Sequence, residues 1–248
     1  MWSKKSWEVP EINQKVSTPT RLSPEQARQL QVRNLSYRGL TLQNRAKISA
    51  IMSSSELKFN RIDNSSKIDS NFAAELRSEY DRFVSIFGEI PSLRGINVAR
   101  YDNDNIFGIF NDNSREITIM GVGGKNGRNF ITQIAVQNKK NGQWSTSSPL
   151  HSYRHELGHA LQEELRINDP LWETKKAEIE EIKKSLLDTL TNLENSAKIE
   201  FKKNKLSVYG FVDTNEFISE CIAEYANSPK KARSTAKKVV EILLRKGD

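Results

Sequence analysis

Apolar residues recur along this chain in blocks whose spacing changes from stretch to stretch. From Ser70 to about Phe87, the positions Phe72, Leu76, Tyr80, Phe83, Val84 and Phe87 repeat at three- and four-residue steps, which predicts a helix with one buried face. Ser70 is placed to cap it, and Gly88 and Pro91 end it. Three short β-type runs follow: Asn97 to Tyr101, Ile106 to Phe110 and Glu116 to Met120. The turn-formers Asp102–Asn105 and Asn111–Ser114 separate them, which predicts an antiparallel meander. The Gly-rich segment Gly121–Gly127 lacks phosphate-loop spacing and reads as a mobile loop. Residues 128–137 fit a further strand or a short helix.

The second half of the chain is helical in pattern. Leu150, Tyr153, Leu157 and Leu161 form one apolar stripe, with Ser148 as N-cap and Pro149 in the first turn. That helix ends near Arg166, and Asp169-Pro170 marks a turn. A long charged helix is expected over about 171–203, with Ile179, Ile182, Leu186, Leu190, Leu193 and Ala197 inside and alternating Glu and Lys outside. A helix over about 216–225 follows Asp213-Thr214-Asn215 and is closed by Ser228-Pro229. A last one, over about 231–245, is apolar at Val239, Val240, Ile242, Leu243 and Leu244. The expected class is α+β, mainly helical with a small antiparallel sheet.

Residues 1–68 read as a polar N-terminal extension, and residues 69–248 as the main domain with a long helical insert at about 171–203. The extension is rich in Ser, Asn, Gln, Lys and Arg, and is broken by Pro10, Pro19 and Pro24. Short helices fit at about 24–32 and 41–53. A partner-binding arm and a partly disordered leader both suit this stretch.

Composition changes this picture in three ways. The 248 residues carry a net charge of +7, with a pI of about 9.4, which favours an acidic partner. The cations are spread along helices and not interleaved with aromatics, which disfavours nucleic acid as that partner. A single cysteine, Cys221, excludes an internal disulfide. Its neighbours Phe217, Ile218 and Ile222 make it a small buried hydrophobe and not a nucleophile. No apolar run approaches a membrane span, and no apolar h-region follows Met1-Trp2-Ser3-Lys4-Lys5. The expected location is therefore cytoplasmic, virion-associated or reached by a signal-less route.

The chemistry is concentrated in one place. All three histidines, His151, His155 and His159, fall within nine residues. Two of them form H-E-x-x-H: His155, Glu156, His159. On a helix, residues four apart share a face, so His155 and His159 can hold one metal ion while Glu156 leans toward a metal-bound water. A catalytic zinc needs a third protein ligand. No third histidine follows His159 at close spacing, which leaves His151 or a downstream carboxylate. Each four-residue step advances about 6 Å along a helix axis, so three successive turns cannot converge on one ion. His151 is thus a cleft residue, an outer partner of the site or a solvent-facing histidine. Glu216, Glu220 and Glu224 share a stripe of the later helix. Glu216 is the candidate ligand, Glu220 can accept a hydrogen bond from the free ring nitrogen of a ligand histidine, and Glu224 reads as structural.

These blocks carry a resemblance. Tyr209-Gly210 and Thr214-Asn215-Glu216-Phe217-Ile218-Ser219-Glu220, together with His155-Glu156-Leu157-Gly158-His159, resemble the catalytic domain of anthrax lethal factor-type zinc endopeptidases. That gluzincin-type family includes related domains in bacterial and phage proteins. The resemblance spans about residues 90–227. It implies a zincin-like fold, zinc on His155, His159 and Glu216, Glu156 as general base, and Tyr209 facing the metal and stabilising an oxyanion. It also implies a peptide or protein substrate paired to an edge strand beside the cleft, for which Glu116 to Met120 is the candidate. Two rivals stand beside it: a virion or assembly component with a non-catalytic metal site, and a basic nucleic-acid-binding protein.

Overall fold

Helix α1, Ser70–Phe87, follows the apolar pattern, with Leu76, Tyr80, Phe83 and Phe87 all buried. Gly88 leaves the helix at φ 89, in the left-handed region that favours glycine, while its N–H donates to the Val84 carbonyl at 2.8 Å. The computed structural model describes residues 59–62, 70–99, 107–120 and 127–246. The expected helices at 24–32 and 41–53 and the loop 121–126 lie outside the described residues. Phe59–Ile62, placed by sequence in the extension, forms strand β1.

The sheet is mixed, which corrects the expected antiparallel meander. Strands β1, β2 (Gly95–Ala99), β3 (Gly108–Asn111) and β4 (Glu116–Met120) lie in the order β1-β2-β4-β3. β1–β2 and β2–β4 are parallel, and β3–β4 is antiparallel. The hairpin at Asn111–Arg115 forms as its residues predict. Asn111 Oδ1 accepts the N–H groups of Asn113 and Ser114 at 2.9 and 3.0 Å, and Arg115 turns the chain at φ 54. Turn chemistry does not say which neighbour β2 takes. Burial decides that: Ile96 pairs with Ile117 in parallel register, and both are fully buried. β4 is therefore interior. The edge strand next to it is β3, and not Glu116–Met120 as expected.

Seven α-helices are present among the described residues. Gly127–Asn141 is helical (α2), which settles the strand-or-helix alternative. The motif helix α3 spans His151–Asn168. Ser148 is not its N-cap: that position is Leu150, without a side-chain cap. Ser148 Oγ accepts the Leu150 N–H at 3.2 Å and a hydrogen bond from Arg154 at 2.7 Å, so it folds the turn before the helix. The expected long helix is two, α4 (Trp172–Asp188) and α5 (Asn195–Lys205). Thr189 and Thr191 turn their hydroxyls onto the carbonyls of Leu186 and Asp188, at 2.7 and 2.9 Å. Such local bonds compete with helix continuation. After a 3₁₀ turn at Tyr209–Phe211 come α6 (Thr214–Asn227) and α7 (Ser234–Leu244).

Helix α3 lies on the sheet beside β3 and β4, and its opposite side meets α6, which α7 and the 3₁₀ turn cover in turn. Leu157, Leu161, Phe217, Ile218, Ile222, Val239 and Val240 belong to one core cluster. Each such fully buried side chain contributes about 1.5–3 kcal/mol. Gly158 sets the α3–α6 approach: a Cβ there would stand 3.0 Å from Ser219 Cα. No helix among the described residues is long and apolar enough to cross a membrane.

Candidate metal centre

The four-residue spacing on α3 and the close α3–α6 crossing bring three donors together. His155 Nε2 lies 2.9 Å from Glu216 Oε2 and 3.1 Å from His159 Nε2, and His159 Nε2 lies 3.5 Å from Glu216 Oε2. A tetrahedral ion with ligand bonds of about 2.0–2.1 Å requires donors about 3.3–3.4 Å apart. The three atoms have the chemistry and nearly the separation of such a set, and all lie within 4.8 Å of one another. Glu216 occupies the first turn of α6, where Asp213 Oδ1 caps the helix by accepting the Glu216 N–H at 2.8 Å.

Electrostatics favour a cation here. Burial opposes charge on His155, but carboxylates on both of its nitrogens, Glu216 and Glu220, outweigh burial and raise its pKa well above the usual value. Burial likewise opposes charge on Glu216, and His155 and His159 overcome it, holding that carboxyl well below the ordinary range. A divalent ion would take the place of the proton that His155 otherwise holds.

Glu156 sits on the same helix against the edge strand. Its carboxylate accepts a hydrogen bond from the backbone of Phe110, its Oε2 is buried with no hydrogen-bond partner among the described residues, and burial raises its pKa. Gly108 on β3 leaves the room it needs: a Cβ there would lie 2.7 Å from Glu156 Cγ. Tyr209, in the 3₁₀ turn, has its ring 5.7 Å from that of His155 and its hydroxyl hydrogen-bonded to Glu216. Burial, then the carboxylates of Glu216, Glu156 and Glu220, push its pKa far up, so it carries its proton at neutral pH.

A second triple, His151, His155 and Glu220, is also close enough to hold a metal. Its chemistry is different. Glu220 is fully buried. Its Oε1 faces His151 Nε2 at 2.9 Å and His155 Nδ1 at 3.0 Å, and its Oε2 accepts the Ser145 N–H at 2.7 Å. Both oxygens are satisfied by protein, so this triple forms a hydrogen-bonded support for His155. The solvent-facing alternative for His151 is wrong: the residue is 0% exposed and stacks on Trp144 at 4.7 Å. Glu224 pairs with Arg233 at 2.7 Å, away from the three donors, and Cys221 is fully buried.

Residues that sequence reasoning missed also build the site. Gln162 Nε2 donates to the Asn215 carbonyl at 3.0 Å and to Ser219 Oγ at 2.9 Å, tying α3 to the start of α6. It lies three residues after His159, so extending the helical stripe by one step would have found it. Ser145, Thr146 and Trp144 arrive from the loop before α3, and no spacing announces them. Beside His159 and Glu216 opens a cleft of about 690 Å³, whose walls include Arg94, Arg115, Lys176 and Gln162. The chain matches no family model, no curated protein and no solved structure with which it was compared.

Proposed function

We propose that this protein is a zinc-dependent endopeptidase with a zincin-like domain of the lethal factor type. The observation that carries the proposal is the convergence of His155, His159 and Glu216 at 2.9–3.5 Å beside a buried, proton-seeking Glu156. A purely structural metal site has no use for that fourth group. Bound zinc supplies Lewis acidity and brings the pKa of a coordinated water toward neutrality. Glu156 takes the proton of the attacking water and passes it to the departing amine, and its raised pKa suits both transfers. The protonated Tyr209 hydroxyl donates to the oxyanion that develops on the scissile carbonyl.

The substrate lies in the cleft beside His159. An extended peptide pairs with β3, since β3 is the edge strand that touches Glu156 and β4 is held on both sides. Asp213 caps α6, and Glu163 is held by Arg166 at 2.7 and 2.8 Å. The cleft walls set Arg94, Arg115, Arg166 and Lys176 against Asp112, Glu163, Asp213 and Glu216, an even balance, so a preference for acidic side chains rests on the net charge of +7 over the whole chain.

Digestion of a proteome-derived peptide library tests the proposal. Glu156→Gln should keep its zinc and lose hydrolysis by about 100-fold or more. Full activity in that variant would remove Glu156 from the mechanism. Cleavage products without enrichment for Asp or Glu would remove the substrate preference alone.

A further inference from the structure

Behind His155 lies a chain of buried polar groups with one consistent arrangement of protons. Thr146 Oγ1 accepts the Ser148 N–H at 3.3 Å and lies 3.2 Å from His151 Nδ1. His151 Nε2 lies 2.9 Å from Glu220 Oε1, and His155 Nδ1 lies 3.0 Å from the same oxygen. Glu220 Oε2 already accepts the Ser145 N–H at 2.7 Å, and Ser145 Oγ donates to the Glu220 carbonyl at 3.1 Å. Thr146, His151 and Glu220 are all buried.

Each link constrains the next. A carboxylate only accepts, so both histidines present N–H groups to Glu220. His151 then carries its proton on Nε2, and its Nδ1 is an acceptor. The Thr146 hydroxyl, whose oxygen already takes the Ser148 N–H, donates to that Nδ1. His155 keeps its Nδ1 proton on Glu220, so the proton that a metal ion would displace is the one its Nε2 shares with Glu216. The opposite tautomer of His151 would set a bare nitrogen against a carboxylate oxygen 2.9 Å away, in a site that excludes water.

We infer that His151 and Thr146 are positioning residues which, through Glu220, fix the tautomer and ring orientation of His155 and so present Nε2 to a metal ion. This rests on the metal reading of His155, His159 and Glu216. Trp144 completes the device by stacking on the His151 ring, so that ring cannot turn without losing both its contact face and its hydrogen bonds. Support of a ligand histidine by a hydrogen-bonded neighbour is general. The extension here through a second buried histidine to a threonine is specific to this chain's residues.

The test measures zinc affinity by competition with a chromophoric chelator, and the visible absorption of the cobalt-substituted protein, in wild type, His151→Phe, His151→Gln and Thr146→Val. Phe keeps a ring against Trp144 but offers no donor. Gln restores an N–H near the position of Nε2. His151→Phe should weaken zinc binding by about 10- to 100-fold and shift the cobalt bands. Thr146→Val should do the same to a smaller degree, and His151→Gln should recover part of the loss. Circular dichroism of the metal-free proteins monitors the fold, and Thr146→Val carries the test if His151→Phe does not fold. Wild-type zinc affinity and cobalt spectrum in the folded His151→Phe or Thr146→Val variant would overturn the inference while leaving the metal site standing. The inference also falls if Gln does no better than Phe, since packing alone would then explain the loss. Absence of zinc binding by the wild type would overturn the metal reading itself, and this inference with it.

Discussion

Glu79 and Glu216 are both buried carboxylates facing cations on α3, yet their surroundings have opposite designs. Glu79 meets the fork of Arg154 squarely, with Nε to Oε1 at 2.7 Å and Nη2 to Oε2 at 2.9 Å. The remaining Arg154 nitrogen donates to Ser148 Oγ and to Asn227 Oδ1, each at 2.7 Å. Every group there is answered by protein, and the network ties α1, α3 and the end of α6. Around Glu216 the partners are two imidazoles whose Nε2 atoms face each other at 3.1 Å. Two ring nitrogens and a carboxylate oxygen converge there within 3.5 Å, a donor set that suits a shared cation. A closed buried network holds the fold, and a set of converging donors is built to receive something.

Substitutions should separate the two. The largest effect on stability is expected from Arg154→Leu, which leaves the Glu79 carboxylate buried without its main partner. It should cost about 3–5 kcal/mol in denaturant unfolding. If the two regions are distinct, the folded fraction should still bind zinc as wild type does. Glu216→Gln should do the reverse. Its thermal midpoint should stop responding to zinc, whereas saturating zinc at about 1,000 times Kd should stabilise the wild type by about 4 kcal/mol. A zinc-dependent midpoint that survives in Glu216→Gln would move the metal to other ligands.

Gly158→Ala probes the crossing that brings the two helices together. The added Cβ would lie 3.0 Å from Ser219 Cα, so α6 must shift by a few tenths of an ångström. A stability loss of about 1–3 kcal/mol is expected, with weaker zinc binding beside it. Loss of stability with unchanged affinity would show that the donors tolerate the shift.

The smallest effect is a pH dependence. Burial opposes charge on Glu79, but Arg154 and Arg82 outweigh it and hold its pKa below the usual carboxylate value. A depressed pKa contributes stability above the unfolded value of about 4.3, and that contribution is lost as pH falls through the folded value. Glu79→Gln should therefore flatten part of the acid limb of the unfolding curve and leave the neutral-to-alkaline side unchanged in shape. An unaltered acid limb would show that other carboxylates dominate it.

Much of this molecule could be read locally. The periodicity of α1, the Asn111–Arg115 turn, the four-residue step from His155 to His159 and the α6 cap at Asp213 each follow from a few neighbouring residues. Helix and turn rules act over one or two turns of chain, so they reach these features. The break between α4 and α5 was also local, but the apolar stripe through Leu190 masked the signal of Thr189 and Thr191. Longer-range features were not legible in this way. Parallel pairing of β2 with β4 was decided by burying Ile96 beside Ile117, on two strands that β3 separates in the chain but not in the sheet.

The sequence by itself determined that two histidines and Glu156 share a helix, and that a carboxylate-bearing helix follows. Its spacing also showed that His151 cannot join His155 and His159 around one ion. Only the tertiary structure decided where His151 goes. Its ring is buried between Trp144 and Glu220, two groups far apart in the chain. The same holds for the donor triangle. A helix sets the separation of its own side chains, whereas the distance from His155 to Glu216 depends on how closely α3 and α6 pack, and Gly158 against Ser219 sets that.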